Sequence, residues 1–189
     1  WLMTQQEKLR TEAQLLKAQV HPEFLFNTLH SIHTSAASSP GKTPGMILKL
    51  SSLLSYMLYD CKADEVRLEK EIEMMRHYIE LEADRHSSSV DISWSVEGNV
   101  RATFISPLLL LPFLENACKH GLLQDSERKW LSVDVSVQSN ILRCKITNSK
   151  CESVSYLQDG TGIAHTRKRL DLAYPGRHEL RLIDEGSFF

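Results

Sequence analysis

Two short blocks of this chain combine reactive side chains with a spacing that fixes their direction. The first block reads Ala18-Gln-Val-His-Pro-Glu-Phe-Leu-Phe-Asn-Thr-Leu29 and sets His21 and Glu23 on either side of Pro22. An imidazole with one free ring nitrogen is a nucleophile, and a nearby carboxylate can orient it or take its proton. Residues two apart on a helix point about 200° away from each other, so these two side chains diverge unless the proline kinks the helix.

The second block reads Pro112-Phe-Leu-Glu-Asn-Ala-Cys-Lys-His-Gly121. Lys119 and His120 follow Asn116 by three and four residues, which places the three side chains on one face of a helix. An ordinary helix with a capping-like Glu115-Asn116 pair is the alternative interpretation.

Composition excludes several classes of function. The net charge of −2 gives no basic excess, so we expect no nucleic-acid partner. The sequence holds no apolar run of about 18 residues or more, so it predicts no membrane span within this chain. The cysteines form no Cys-x-x-Cys pair, which indicates buried structural thiols in a reducing compartment and neither a zinc site nor a disulfide framework. They are Cys61, Cys118, Cys144 and Cys151.

Long helices must position the first block. Apolar residues recur every three or four positions from Thr4 to about Ala37, which predicts one helix of more than about 25 residues. The Ser-, Pro- and Gly-rich segment Ser35–Gly45 predicts its break. Further helices are predicted over Met46–Tyr59 and Leu68–Arg85. Long helices joined by short breaks indicate a hairpin that needs a partner.

Strands and shorter helices must position the second block. Strict alternation predicts half-buried antiparallel strands over Val90–Val96, Leu131–Val137 and Ile141–Ile146. The run Phe104–Leu123 is too long for a strand and carries the second block on a helix. A last helix, Ile163–Ala173, ends where Pro and Gly stop it. Strands with helices on one face make a two-layer α/β sandwich, so the predicted class is α+β, with a helical region over 1–88 and a compact α/β region over 89–189.

Together the two blocks resemble the LytS-type sensor histidine kinases. Members of that family carry Asn-Pro-His-Phe-Leu-Phe-Asn on a phosphoacceptor helix and Pro-Leu-Val-Glu-Asn-Ala-x-Lys-His-Gly in the ATP-binding half. Leu50-Ser-Ser-Leu-Leu-Ser-Tyr56 and Tyr78-Ile-Glu-Leu-Glu-Ala-Asp-Arg85 are similar to two further family segments, so the resemblance covers nearly the whole chain. It implies a helical dimerisation hairpin followed by an ATP-binding domain of the histidine kinase, gyrase and chaperone type, truncated at its C-terminus.

The resemblance implies ATP and Mg²⁺ as ligands of the second block. Asn116 matches the asparagine that coordinates the metal, and a neutral oxygen suits a hard cation that keeps most of its waters. Lys119 and His120 then lie where they could meet phosphate oxygens. Members of the superfamily that hydrolyse ATP place a glutamate one turn before the asparagine, where this chain has Pro112. Phosphoryl transfer to a side chain is therefore the expected use of ATP.

Further ATP contacts are implied downstream. Asn148 matches the family residue that recognises the adenine amino group, and its side-chain oxygen can accept that hydrogen bond. Gly160 and Gly162 match glycines that let the backbone approach the phosphates ahead of a helix N-terminus, and Arg169 matches an arginine that follows them. Ser149–Asp159 would form a lid that is mobile without ligand.

One residue departs from the family at an important position, because Glu23 stands where the phosphoacceptor histidine is expected. Three interpretations are open. A kinked helix presents His21 as a shifted acceptor in a working kinase, or Glu23 replaces the acceptor and leaves a pseudokinase that binds nucleotide and a partner. In the third, the acceptor is His30 or His33, or the glutamate is an introduced change.

The function implied is that of the cytoplasmic portion of a two-component sensor histidine kinase, which passes phosphate from ATP to a histidine and then to a response regulator of LytR type. We expect a homodimer through the first two helices, an upstream membrane sensor region and a place at the cytoplasmic face of the bacterial inner membrane. Because the chain opens on Trp1 and closes on Gly186-Ser-Phe-Phe189, we expect it to be a piece of a longer protein. The alternative is a nucleotide-binding pseudokinase or scaffold without autophosphorylation.

Overall fold

The computed structural model of the chain describes residues 22–85, 90–122, 129–149 and 161–183. Helices and strands both occur, which confirms the α+β class. The helices are α1 (Pro22–Ser38), α2 (Thr43–Leu58), α3 (Leu68–Arg85), α4 (Leu111–Gly121) and α5 (Thr161–Ala173), with a 3₁₀ turn at Asp60–Lys62. The strands are β1 (Val66–Arg67), β2 (Val90–Glu97), β3 (Phe104–Ile105), β4 (Lys129–Gln138) and β5 (Ile141–Asn148).

The helix α3 lies at the centre of the helical part and contacts both α1 and α2. Its apolar stripe of Leu68, Ile72, Met75 and Ile79 is buried, as a spacing of three and four residues requires. The ring of Phe24 on α1 stacks on Tyr78 of α3 with centroids 4.6 Å apart. This contact holds the start of the described part of α1 against α3.

The break between the first two helices is shorter than the sequence predicts. The helix α1 runs through Ser38, although Ser35–Gly45 was expected to be irregular. The hydroxyls of Thr34 and Ser38 donate to carbonyl oxygens one turn back, at 3.0 Å each, and so satisfy their own hydrogen bonding inside the helix. The predicted helical residues before Pro22 lie outside the part of the chain that the structure describes.

The main sheet has the order β2-β4-β5. Strands β4 and β5 form an antiparallel hairpin, as predicted, but β2 pairs with β4 in parallel, so the antiparallel prediction is wrong for β2. A parallel pair needs a long crossover, and the chain between β2 and β4 supplies one that contains α4. Alternation of apolar residues predicts a half-buried strand but carries no information on its direction.

The run Phe104–Leu123 carries the second block on a helix, as predicted, and that helix begins only at Leu111. Phe104 and Ile105 form β3, which pairs with β1 so that Val66 faces Ile105. Leu108 then takes a left-handed backbone conformation with φ of 56°, and the helix α4 begins at Leu111. In the ranges that the structure describes, none of the helices combines the length and apolarity that crossing a bilayer requires.

The two regions predicted from the sequence share a core. The strand β1 comes from the first region and β3 from the second, and the backbone N–H of Leu68 donates to the carbonyl of Thr103 at 2.8 Å. One cluster of buried apolar side chains includes residues of α2 and α3 together with residues of α4 and β4. The helix α3 therefore packs against α1 and α2 and also against α4.

Replacing Phe24 by alanine tests the docking of α1 on α3. The change removes a ring that is 7% exposed, so we expect the free energy of unfolding to fall by about 3–5 kcal/mol. The matched change Phe104→Ala removes a ring that is 53% exposed and should cost about 1 kcal/mol or less. Denaturant unfolding measures both, and equal losses would contradict the packing described.

Candidate functional site

The helix α4 carries the second sequence block and has two different faces. Pro112 lies in its first turn, where a missing backbone N–H costs nothing. Asn116 and His120 are half-buried, whereas Lys119 is exposed. The structure therefore places the three predicted ligand residues along one side of α4, next to its buried face. The buried residues of α4 are Leu111, Leu114, Ala117, Cys118 and Gly121, and the helix packs against β4 and β5.

Asn148, at the end of β5, lies against the C-terminal end of α4. A Cβ atom on Gly121 would come within 2.7 Å of the Cβ of Asn148, so only glycine permits this approach. The Ser149 hydroxyl donates to the carbonyl of Gly121 at 3.2 Å, and the Asn148 amide nitrogen donates to the Ser149 carbonyl at 2.8 Å. The fold thus brings the predicted adenine residue to the helix that carries the predicted metal ligand.

The donor set of this region fits the nucleotide and metal that the sequence implies. Asn148, which is 1% exposed, carries a side-chain oxygen of the kind that can accept a hydrogen bond from an adenine amino group. Asn116 offers a neutral oxygen of the kind that Mg²⁺ accepts alongside phosphate oxygens and water. No cluster of three or more His, Cys, Asp or Glu side chains able to hold a metal by itself is present in the described ranges.

Burial sets the charge of the side chains beside this face. Burial lowers the pKa of His120 from its ordinary value, and the Lys119 charge lowers it further, so His120 is predominantly neutral at pH 7. It would therefore act toward a phosphate as a hydrogen-bond donor, with Lys119 as the cation. Burial also raises the pKa of the Cys118 thiol well above its usual range. Cys118, Cys61 and Cys144 are free thiols, as the sequence predicts, whereas Cys151 lies outside the described residues.

The helix α5 begins at Thr161, which places Gly162 in its first turn. Gly160 and the predicted lid beyond Ser149 lie outside the described residues, and Ser149 itself is buried. Arg169, about two turns into α5, donates to the carbonyls of Pro107 at 2.8 Å and Leu108 at 3.2 Å. The helix is therefore fastened to the segment that leads into α4.

The family acceptor position lies at the start of α1 as described. Glu23 is exposed there, His30 and His33 are exposed further along the helix, and His21 lies outside the described residues. Burial raises the pKa of Glu82 on α3, Arg85 opposes that rise from 3.1 Å, and the Glu23 carboxylate adds to it. Glu23 is thus within electrostatic range of Glu82.

Glu82 also connects the acceptor position with α4. Its charge contributes to the raised pKa of Cys118 on that helix, together with Glu115 and after the main effect of burial. Glu82 is therefore within electrostatic range of both Glu23 and Cys118.

Sequence reasoning missed two buried carboxylates on α3, Glu71 and Glu82, of which the more deeply buried is Glu71. Its carboxylate accepts hydrogen bonds from the hydroxyl of Tyr56 and from the backbone N–H groups of Leu108 at 3.0 Å and Leu110 at 3.3 Å. The signal was present, because Glu71 lies three residues after Leu68 within the apolar stripe of an otherwise amphipathic helix. An acidic residue in that register predicts a buried partner.

Comparison with known proteins adds an independent finding. A family model described as histidine kinase matches residues 11–90. The chain is 30% identical over 136 residues to "Sensor protein LytS" of Oceanobacillus iheyensis, covering 71% of the chain and 23% of that protein. It is 31% identical over 134 residues to "Sensor histidine kinase/phosphatase LytS" of Staphylococcus aureus, covering 70% of the chain and 23% of that protein. The chain spans about a quarter of the length of these relatives.

Replacing Gly121 by alanine tests the contact between α4 and Asn148. The added methyl group collides with the Asn148 side chain, so we expect the free energy of unfolding to fall by about 1–3 kcal/mol. Gly45 on α2 has open space at the same position, and Gly45→Ala should leave stability unchanged or raise it by up to about 1 kcal/mol. Denaturant unfolding of both variants decides; a Gly121→Ala protein as stable as the parent would contradict the contact.

Proposed function

Because the chain belongs to the LytS-type histidine kinase family, we propose that it is the ATP-binding and phosphotransfer portion of a two-component sensor kinase. The observation that carries this proposal is the approach of Asn148 to α4 across Gly121. Asn148, proposed to accept a hydrogen bond from adenine, and Asn116, proposed to bind the metal, thus lie on neighbouring elements, β5 and α4. The matched relatives are sensor proteins by name, which supports the same role.

In this proposal each polar residue near α4 has one task. Asn116 holds Mg²⁺, which neutralises phosphate charge when bound. Lys119 supplies a fixed positive charge and neutral His120 a hydrogen bond to phosphate oxygens. Asn148 accepts from the adenine amino group, and the first turn of α5 at Gly162 offers backbone N–H groups, with Gly160 preceding it.

The residue one turn before Asn116 favours transfer over hydrolysis. A general base at that point would be needed to activate a water molecule, and Pro112 has no ionisable group. Phosphoryl transfer to a side chain asks instead for positioning and charge stabilisation. We propose His21 as the acceptor, with a response regulator of LytR type receiving the phosphate next.

A second candidate function is a nucleotide-binding pseudokinase or scaffold. Glu23 favours it, because the exposed side chain at the family acceptor position is a carboxylate that cannot form a phosphoramidate. In that case the permanent negative charge of Glu23 imitates a phosphorylated acceptor, and a partner protein recognises it.

We further propose that α1 and α2 form a dimerisation hairpin in a region 1–88, followed by a nucleotide-binding domain over 89–189. Large apolar side chains on the hairpin support this, because they are exposed in the single chain and a second copy would cover them. They are Phe26 at 73%, Leu29 at 53%, Ile47 at 51% and Leu48 at 68% exposed. By family, the whole protein would sit at the cytoplasmic face of the bacterial inner membrane with its sensor region upstream.

Replacing Asn116 by aspartate tests the ATP site. The change puts a negative charge among the phosphates, so we expect the affinity for ATP with Mg²⁺, measured by calorimetric titration, to fall about tenfold or more. Asn140→Asp makes the same change on an exposed turn and should leave affinity unchanged. Unaltered binding by a folded Asn116→Asp protein would refute the assignment.

A labelling experiment separates the two candidate functions. We expect the chain, incubated with γ-labelled ATP and Mg²⁺, to acquire label that is lost in acid and kept in base, as a phosphohistidine requires. His21→Gln should abolish that label, whereas His30→Gln and His33→Gln should retain it. Absence of label in protein that binds ATP would establish the pseudokinase function instead, and label that survives His21→Gln would move the acceptor elsewhere.

A further inference from the structure

The segment from Ser106 to Leu110, which connects β3 to α4, is held from three elements. Leu108 within it has a φ of 56°, a left-handed conformation that is strained for a residue other than glycine. Such a conformation persists only when the surroundings determine it. The Ser106 N–H donates to the Tyr174 hydroxyl at 2.8 Å, just beyond the end of α5.

Glu71 and Arg169 both hydrogen-bond to the backbone in the middle of the segment, Glu71 as an acceptor and Arg169 as a donor. The Glu71 carboxylate accepts from the N–H groups of Leu108 and Leu110, while the Arg169 guanidinium donates to the carbonyls of Pro107 and Leu108. Donors and acceptors of an irregular buried stretch are thereby satisfied by side chains, since no regular ladder is available to them.

Tyr56 brings a third element, α2, to the same carboxylate. Its hydroxyl donates to the Glu71 oxygen that also accepts from Leu108. Glu71 is fully buried and Tyr56 is 5% exposed, so water cannot replace a lost partner without the packing opening. Burial raises the pKa of the Glu71 carboxyl, and the Tyr56 hydroxyl, the two N–H groups and Arg169 act against that rise because each stabilises the carboxylate.

We infer that Glu71 is a positioning residue for the ATP site, through which the Tyr56 hydroxyl on α2 fixes the segment that starts α4 and so the place of Asn116. Leu110 precedes Asn116 by six residues, or about 9 Å along the axis of one continuous helix. Because α4 moves as a rigid unit, a displacement of Leu110 also displaces Asn116. The inference rests on the proposed function of this chain.

Through Tyr56 and Glu71, the position of α2 can affect nucleotide binding at α4. If α2 slides along α3, Tyr56 leaves Glu71 and a buried carboxylate loses one of its partners, which is costly in a low dielectric. Binding at α4 favours the arrangement in which the Tyr56 bond is made. By reciprocity, that bond favours binding at α4 to the same degree.

The test is the affinity for ATP with Mg²⁺, titrated at a temperature at which circular dichroism shows every variant folded. Tyr56→Phe keeps the ring and removes only the hydroxyl, and we expect the Kd to rise about 3- to 30-fold. Glu71→Gln should raise it at least as much. Tyr59→Phe, directly after α2, and Glu73→Gln, on α3, change exposed side chains and should stay within about twofold of the parent.

A double variant separates positioning from general destabilisation. If Tyr56 acts through Glu71, Tyr56→Phe has no further effect on the Kd in a Glu71→Leu background, which offers the Tyr56 hydroxyl no acceptor, whereas independent effects would multiply. A folded Tyr56→Phe protein with the parent Kd would overturn the inference and leave the ATP site standing. A parent protein that fails to bind ATP with Mg²⁺ would overturn the proposed function itself. Should the Glu71 variants not fold, the Tyr56→Phe comparison alone still decides.

Discussion

A buried carboxylate is the constraint on which much of this structure depends. Glu71 is enclosed by apolar side chains of α3 and its neighbours, where an unpaired charge would be costly. Its partners come from two parts of the chain: a phenol on α2, and the two backbone N–H groups on either side of Leu109. The fold can satisfy Glu71 only by bringing the helical hairpin and the start of α4 together. Leu108, which takes a left-handed conformation, and Leu110, which directly precedes α4, both donate their N–H groups to Glu71.

The polar face of α4 follows from the same packing. One side of the helix is committed to the sheet and to α3, so Asn116, Lys119 and His120 are presented together along the other. Gly121 then lets Asn148 approach closely, and no larger residue would allow it. The contact brings the end of β5 against the helix that carries Asn116. It also explains why family-type residues far apart in the sequence act as one site in our proposal.

The sequence predicts regular elements well and their connections poorly. The helix over Leu68–Arg85 was predicted with its observed ends, because its apolar stripe is long and regular. The parallel direction of β2 could not be predicted, since alternation is the same for either direction. The pairing of β1 with β3 involves two residues on each strand, too few to leave a periodic signal. Glu71 was overlooked because its sequence neighbours are charged, and only its register with Leu68 marks it as buried.

Whether Glu71 holds the segment that starts α4 can be tested without measuring phosphotransfer, independently of the role of Glu23. Amide hydrogen exchange at Leu108 and Leu110, with and without ATP and Mg²⁺, tests most directly whether the hairpin holds the segment that starts α4. The account predicts slow exchange at both amides in the free protein and slower exchange with nucleotide, because both N–H groups donate to a buried carboxylate whose position binding reinforces. Fast exchange at either amide, or rates that nucleotide binding leaves unchanged, would contradict it.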